Sequence, residues 1–183
     1  MLPAMRQDLR DKTESGARGS VAGVSGSAGG MWGWIACGWA VAFAGLHFFW
    51  GLGGSWGLSV SAGPLADERP LWFVVVGLWG VGALCLVGGV LGRLLAGRRR
   101  PGPVGRVLAF LGWCVSAVLL GRGLAVEVLL LTGDSGPGPG VSSAQRLWTL
   151  LLWNPWFLLG GLIFGLAAWE FGKARGGSRG SAP

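Results

Sequence analysis

Four polar side chains lie inside long apolar runs of the sequence, and their types could do chemistry. They are His47, Arg122, Glu127 and Asn154. A histidine and a carboxylate can exchange protons as a general acid and base, whereas an arginine can contact an anionic or lipid-like molecule. The same residues can instead form a hydrogen-bond network that fixes helix packing without any ligand, or extend out of the apolar layer. The residue types alone leave these interpretations open.

Other kinds of chemistry have little support. The three cysteines, Cys37, Cys85 and Cys114, lie in separate apolar runs without C-x-x-C spacing, so neither a disulfide framework nor a thiol oxidoreductase is predicted. His47 is the single histidine, which excludes a haem held by two histidines of this chain and argues against an all-protein zinc site. We therefore expect no catalytic residue, no metal and no cofactor.

The apolar runs that must position these residues have the length of transmembrane helices. They cover about residues 32–52, 71–95, 107–131 and 147–171, and about 20 helical residues cross a bilayer core. Only 13% of the residues are charged and 51% are apolar, with a mean hydropathy of +0.56. So little charge cannot cover the surface of a water-soluble domain. The sequence predicts an all-α integral membrane bundle of four transmembrane helices.

The two ends of the chain lack apolar periodicity. Residues 1–30 and the basic residues 173–183 are predicted to be disordered tails around a transmembrane domain of residues 31–172. A cleaved signal peptide is the alternative interpretation of the first run, with residues 59–63 resembling a cleavage site. The long polar stretch before that run and the three runs after it favour an uncleaved helix.

Lysine and arginine are distributed unevenly between the two sides of such a bundle. Twelve lie in the tails and the loop after the second run, two lie in the other loops, and Arg122 lies within a run. Because basic residues near helix ends resist translocation, both termini are predicted to be cytoplasmic in a multi-pass plasma-membrane protein. The net charge of +7 then reflects topology and contact with anionic lipid headgroups, not nucleic acid.

With that orientation, the polar residues fall at related depths. His47, Glu127 and Asn154 belong to the outer third of their runs, and Arg122 lies deeper than Glu127. Arg122 and Glu127 are about 140° apart around a helix, so either a π-bulge or a long arginine reach joins them, or each finds a partner on another helix. We predict a polar cluster that is open to the outer side.

Small residues mark the faces on which the helices are expected to pack, because close backbone approach replaces the hydrophobic effect in lipid. On the first helix, this face carries Gly33, Ala36, Ala40, Ala44 and Gly51, together with His47. On the later helices, the small-residue patterns are Gly88-x-x-x-Gly92, then Ala117, Gly121 and Ala125, and finally Gly161-x-x-x-Gly165.

The dipeptide Asn154-Pro155 has two interpretations. We favour Asn154 as the N-cap and Pro155 as the first residue of the last helix, with residues 144–153 forming an amphipathic or re-entrant helix. The alternative is a proline kink within a longer helix.

The segment around His47 is similar to that of a known family. Residues 44–58 follow the pattern A-x-x-H-x-x-W-x-x-G-G-x-W-G-L, with Trp50, Gly53, Gly54 and Trp56 at the matching positions. Residues 152–161, which include Pro155, resemble the fourth span of the same family, the small actinobacterial membrane proteins with domain of unknown function 3995. The resemblance covers about residues 32–171 and implies four transmembrane helices. It carries over no activity, cofactor or catalytic residue.

These observations favour a non-enzymatic membrane module that packs with itself or with another membrane protein. The alternative is a small carrier or a ligand- or lipid-binding protein that uses the outward-facing polar cluster, and a membrane enzyme ranks third. The expected partners are membrane lipids and a second copy or another membrane protein, without nucleic acid. A cavity that reaches Arg122 would favour the binder, and a glycine-lined groove facing lipid would favour the module.

Overall fold

The four apolar runs form four long helices. In chain order, the elements are α1 (Met31–Gly51), the short α2 (Leu58–Ala62) and α3 (Leu65–Glu68), α4 (Phe73–Ala96), α5 (Pro103–Thr132) and α6 (Ser143–Lys173). The computed structural model describes residues 30–97, 102–132 and 142–173, and this part of the chain contains no strand. The prediction of an all-α fold with four helices long and apolar enough to cross a membrane is confirmed. The predicted disordered tails lie outside the described residues, apart from Gly30 and Lys173.

Two backbones meet where α1 crosses α4. A Cβ atom on Gly92 would lie 2.6 Å from the amide nitrogen of Cys37 and 3.0 Å from the carbonyl oxygen of Gly33, which is too close for any residue but glycine. The predicted packing face of α1 is confirmed for five of its residues, which are buried: Gly33, Ala36, Ala40, Ala44 and His47. Small residues therefore let α1 and α4 pack with little side-chain bulk between them.

A polar contact joins α5 to α6. The hydroxyl of Ser116 donates a hydrogen bond of 2.7 Å to the carbonyl oxygen of Gly161, and Ser116 is buried. A Cβ atom on Gly165 would lie 2.9 Å from the same hydroxyl oxygen. Glycine on α6 thus leaves room for the hydroxyl on α5.

The predicted packing stripe of α5 faces outward, so that prediction is wrong. Ala117, Gly121 and Ala125 are all exposed, and a Cβ atom on Gly121 would meet no atom within 4 Å. The opposite face packs inward. Gly112 and Gly123 on that face lie against side chains of α6, and the Ser116 hydroxyl finds a hydrogen-bond acceptor in the carbonyl of Gly161.

Aromatic side chains fill the space between α1 and α6. Trp39 stacks on Trp156 with ring centroids 5.4 Å apart, and Phe43 meets Phe157 edge to face at 5.5 Å. Phe164 beside them is 1% exposed. This core joins the α1–α4 pair to the α5–α6 pair.

The prediction that Asn154 caps the last helix is also wrong. Asn154 has helical dihedral angles, φ −64° and ψ −49°, and lies inside α6. The helix begins at Ser143, where the hydroxyl of Ser142 accepts a hydrogen bond from the backbone N–H of Gln145. A π-helical turn over Thr149–Trp153 precedes Pro155. Because proline has no N–H for the carbonyl four residues earlier, the wider turn lets the helix continue past it.

Candidate functional site

Glu127 and Asn154 form a direct polar contact between α5 and α6. The side-chain amide of Asn154 donates a hydrogen bond of 2.7 Å to Oε2 of Glu127. Asn154 is fully buried and Glu127 is half-buried. Within the described part of the chain, Oδ1 of Asn154 has no hydrogen-bond partner. The pair places a carboxylate and a buried amide oxygen side by side, where both can accept hydrogen bonds.

Arg122 contacts α6 at a different residue. Its Cζ atom lies 3.9 Å from the centre of the Phe157 ring, within the range of a cation–π interaction. Arg122 is nonetheless an exposed residue. Arg122 and Glu127 therefore each have a contact on another helix, which is one of the arrangements that their spacing allows.

His47 is held within its own helix. Its Nδ1–H donates a hydrogen bond of 2.9 Å to the carbonyl oxygen of Phe43, and its ring meets Phe43 and Trp50 edge to face at 4.6 Å and 5.4 Å. Phe43 contacts Phe157, and the guanidinium of Arg122 lies over the other ring of this pair, that of Phe157. The four predicted site residues thus form one hydrogen-bonded pair and one line of aromatic contacts.

The described parts of the chain contain no group of side chains suited to bind a metal ion. No three or more His, Cys, Asp or Glu side chains lie together there in a way that could hold a metal ion. Cys37, Cys85 and Cys114 are free thiols, each half-buried. The observed contacts of the four polar residues are those of helix packing.

Residues 52–70, which we call the cap, fold over one end of the bundle. The indole N–H of Trp50 donates a hydrogen bond of 2.8 Å to the carbonyl oxygen of Trp56. Gly53 has a φ of +106°, in the left-handed region that favours glycine, and Gly54 lies against the ring of Phe49. These four motif residues shape the turn that returns the chain over α1, whereas Pro155 lies in α6.

Arg69 fastens the cap, a role that its position in the sequence does not indicate. Its guanidinium donates hydrogen bonds to the carbonyl oxygens of Gly54 at 2.7 Å and Trp50 at 3.3 Å, and its Nε donates to Ala66 at 3.2 Å. The last carbonyls of a helix have no intrahelical donor. At the end of α1, the carbonyl of Trp50 accepts from the backbone N–H of Gly53, and Arg69 adds a second donor to it. The available signal is that Arg69 is the one basic residue between the first two apolar runs.

A cavity of about 280 Å³ lies between the cap, the end of α1 and the start of α6. It is lined by Leu46, Trp50, Trp56, Gly57, Ser59, Val60, Trp148, Leu152 and Trp153. None of these residues is charged, and none is one of the four predicted site residues. The cavity and the polar residues are therefore separate features.

Comparison with known proteins identifies one family. A family model described as "Protein of unknown function (DUF3995)" matches residues 40–164, about two thirds of the chain. No curated protein and no solved structure matches the chain. The match includes the cap, the cavity and all four of the polar residues.

Proposed function

The chain belongs to the protein family of unknown function DUF3995, and we propose that it is a non-enzymatic membrane module that self-associates through α5. One observation carries this proposal. Ala117, Gly121 and Ala125 recur at intervals of four on the outward face of α5, and no helix in the described part of the chain packs on them. Small residues at this spacing let two helices approach closely in lipid.

The glycine patterns of α4 and α6 already pack against other helices of the same chain. Gly92 meets the backbone of α1, and Gly165 meets the hydroxyl of Ser116. The outward face of α1 is a competing surface, because Cβ atoms on Gly38 and Gly45 would also meet no atom within 4 Å.

Arg122 favours α5 over α1 as the contact surface. It follows Gly121 directly, about 100° farther around the helix, and is exposed beside the stripe. Its guanidinium lies over the ring of Phe157 on α6. Because a guanidinium exposed to hydrocarbon is costly, a second copy of α5 packed on the stripe would help to shield the part of Arg122 that α6 leaves open. A two-fold contact brings the same face of both copies together, so each Arg122 would be shielded in the same way.

We also propose that both termini lie in the cytoplasm and that the membrane is the plasma membrane. The uneven count of basic residues supports this orientation. At the cap end, Arg69 and Arg146 donate hydrogen bonds to the carbonyl oxygens of Gly54 and Leu130. At the opposite end, Arg93 and Lys173 lie over tryptophan rings, as basic and aromatic residues do at a membrane boundary.

A carrier or enzyme built on the four polar residues has less support. The amide of Asn154 is engaged by Glu127, and Nδ1 of His47 is engaged by the backbone of its own helix. The cavity described above does not include them. Their contacts support a role in holding α1, α5 and α6 in register.

Energy transfer between copies tests self-association. Donor- and acceptor-labelled full-length chains are mixed in phosphatidylcholine vesicles, and transfer is followed as the lipid-to-protein ratio rises. We expect transfer in the wild type and its loss in Gly121→Leu, because the added side chain blocks the stripe. Gly45→Leu is the matched control on α1, and it should behave as the wild type. A monomeric wild type, or loss of transfer in Gly45→Leu alone, would contradict the proposal.

A further inference from the structure

The cavity under the cap has walls that are held in place. Trp50 is 4% exposed, and its indole N–H is bound to the carbonyl of Trp56. The rings of Trp50 and Trp153 meet edge to face at 6.0 Å, and the cap above them is fastened by Arg69. A largely pre-formed site of this kind is typical of pockets that bind small molecules.

The cavity adjoins a surface that faces away from the bundle. A second hollow of about 260 Å³ is lined by Leu147, Trp148, Leu151 and Leu152, and it shares Trp148 and Leu152 with the cavity. Leu147 and Leu151 are 56% and 69% exposed on the outward side of α6. In a membrane, this surface faces lipid, so a molecule can enter from the bilayer.

The residues that line the cavity favour an apolar ligand such as a hydrocarbon chain. Four indole rings and three aliphatic side chains surround the space, and no lysine, arginine, aspartate or glutamate is among the lining residues. The cavity lies at the ends of α1 and α6, where tryptophan is favoured at the boundary between hydrocarbon and headgroups. A space of about 280 Å³ is at the small end for a ligand site, so it suits a stretch of a single chain better than a whole lipid.

We propose that this cavity binds one acyl chain of a phospholipid from the surrounding bilayer. The chain enters beside Leu147 and Leu151 and lies against Trp50 and Trp153, while the headgroup stays outside the cap. This site lies at the cap and not on the outward stripe of α5, so it is independent of the proposed self-association.

Photolabelling tests the proposal. The full chain is reconstituted in phosphatidylcholine vesicles that contain a phosphatidylcholine with a diazirine in one acyl chain, irradiated, and mapped by mass spectrometry. We expect label at Leu46 and Val60 inside the cavity, as well as at Leu84, which is 68% exposed on α4 and meets lipid in any case. Label at Leu84 without label at Leu46 or Val60 would overturn the proposal.

A matched pair of serine variants links the label to the cavity. Ser59 lines the cavity, whereas Ser55 lies in the same cap outside the lining. Ser59→Phe should fill the space and abolish label at Leu46 while leaving Leu84 labelled, and Ser55→Phe should change neither. Val60→Trp replaces Ser59→Phe if circular dichroism shows that the latter is unfolded. Cavity label that persists in the filled variant contradicts the proposal, as does cavity label from a diazirine fatty acid but not from the phospholipid.

Discussion

The α1–α4 pair and the α5–α6 pair are held together in the apolar layer by different contacts. In the first pair, Gly33 and Gly92 bring two backbones together, and the residues of these helices that the structure describes form no side-chain hydrogen bond with each other. In the second pair, the hydroxyl of Ser116 and the amide of Asn154 donate hydrogen bonds across the interface. Lipid does not drive either pair together, so the first depends on close packing alone, whereas the second adds polar contacts to close packing at glycines such as Gly112 and Gly161.

The difference predicts how each pair fails. A close backbone contact tolerates no added atom, because neither helix can move a rigid backbone aside. A hydrogen-bonded contact tolerates changes that keep a donor and an acceptor and is weakened by those that remove one. The variants below test this difference, and we expect their effects to decrease in the order given.

Gly92→Ala should give the largest effect. Its Cβ atom would lie 2.6 Å from the amide nitrogen of Cys37, so α1 and α4 must separate at a cost of about 3 kcal/mol. The measurement is the free energy of unfolding in mixed micelles of dodecyl maltoside and dodecyl sulfate. Gly88→Ala is the control one turn away, where the new Cβ would meet Ala40 and Phe164 at an ordinary 3.8 Å. Equal stability of the two variants would show that α1 and α4 do not approach this closely.

Asn154→Leu should be next. It removes the donor to Glu127 and leaves a half-buried carboxylate without that partner, at a cost of about 1–2 kcal/mol in the same assay. Glu127→Gln should be close to wild type, because its amide oxygen still accepts from Asn154. The double variant with leucine at both positions should recover part of the loss. If Asn154→Leu alone is neutral, the pair does not hold α5 to α6.

Ser116→Ala should give the smallest effect, about 0.6 kcal/mol, the average for hydrogen bonds between helices in a membrane. Gly165→Ala should be destabilising in the wild type, since its Cβ would lie 2.9 Å from the Ser116 hydroxyl oxygen. In the Ser116→Ala background, that hydroxyl is gone and Gly165→Ala should cost less. A double-mutant cycle measures this coupling. Additive effects would mean that the two positions do not meet.

Composition was sufficient to predict the four helices, because hydrocarbon demands long apolar helices whatever their order of packing. Spacing also predicted the buried face of α1, where Ala36 and Ala40 lie one turn apart and both are buried. It could not choose between the two faces of α5, since each carries small residues. The choice depends on contacts with α6, among them the bond from Ser116 to Gly161, a residue 45 positions away in the chain.

The features that the sequence did not predict depend on contacts between residues far apart in the chain or on an irregular turn. Arg69 reaches carbonyl groups 15 and 19 residues earlier, which no local pattern records. Asn154 satisfies the local rule for a cap, but a π-helical turn keeps the helix continuous and makes it a buried partner of Glu127. Of the predicted polar cluster, the structure brings Glu127 and Asn154 into contact, and no pattern in the sequence indicated the rings that separate Arg122 from His47.

The π-helical turn at Thr149–Trp153 bears on how this chain can change over generations. Such a turn holds one residue more than an α-helical turn, so the loss of one codon there would leave an ordinary α-helical turn and need not shift the helix on either side. Before it, Trp148 forms a wall of the cavity; after it, Asn154 binds Glu127. The helix on either side of the turn can therefore keep its own contacts when that one residue is lost.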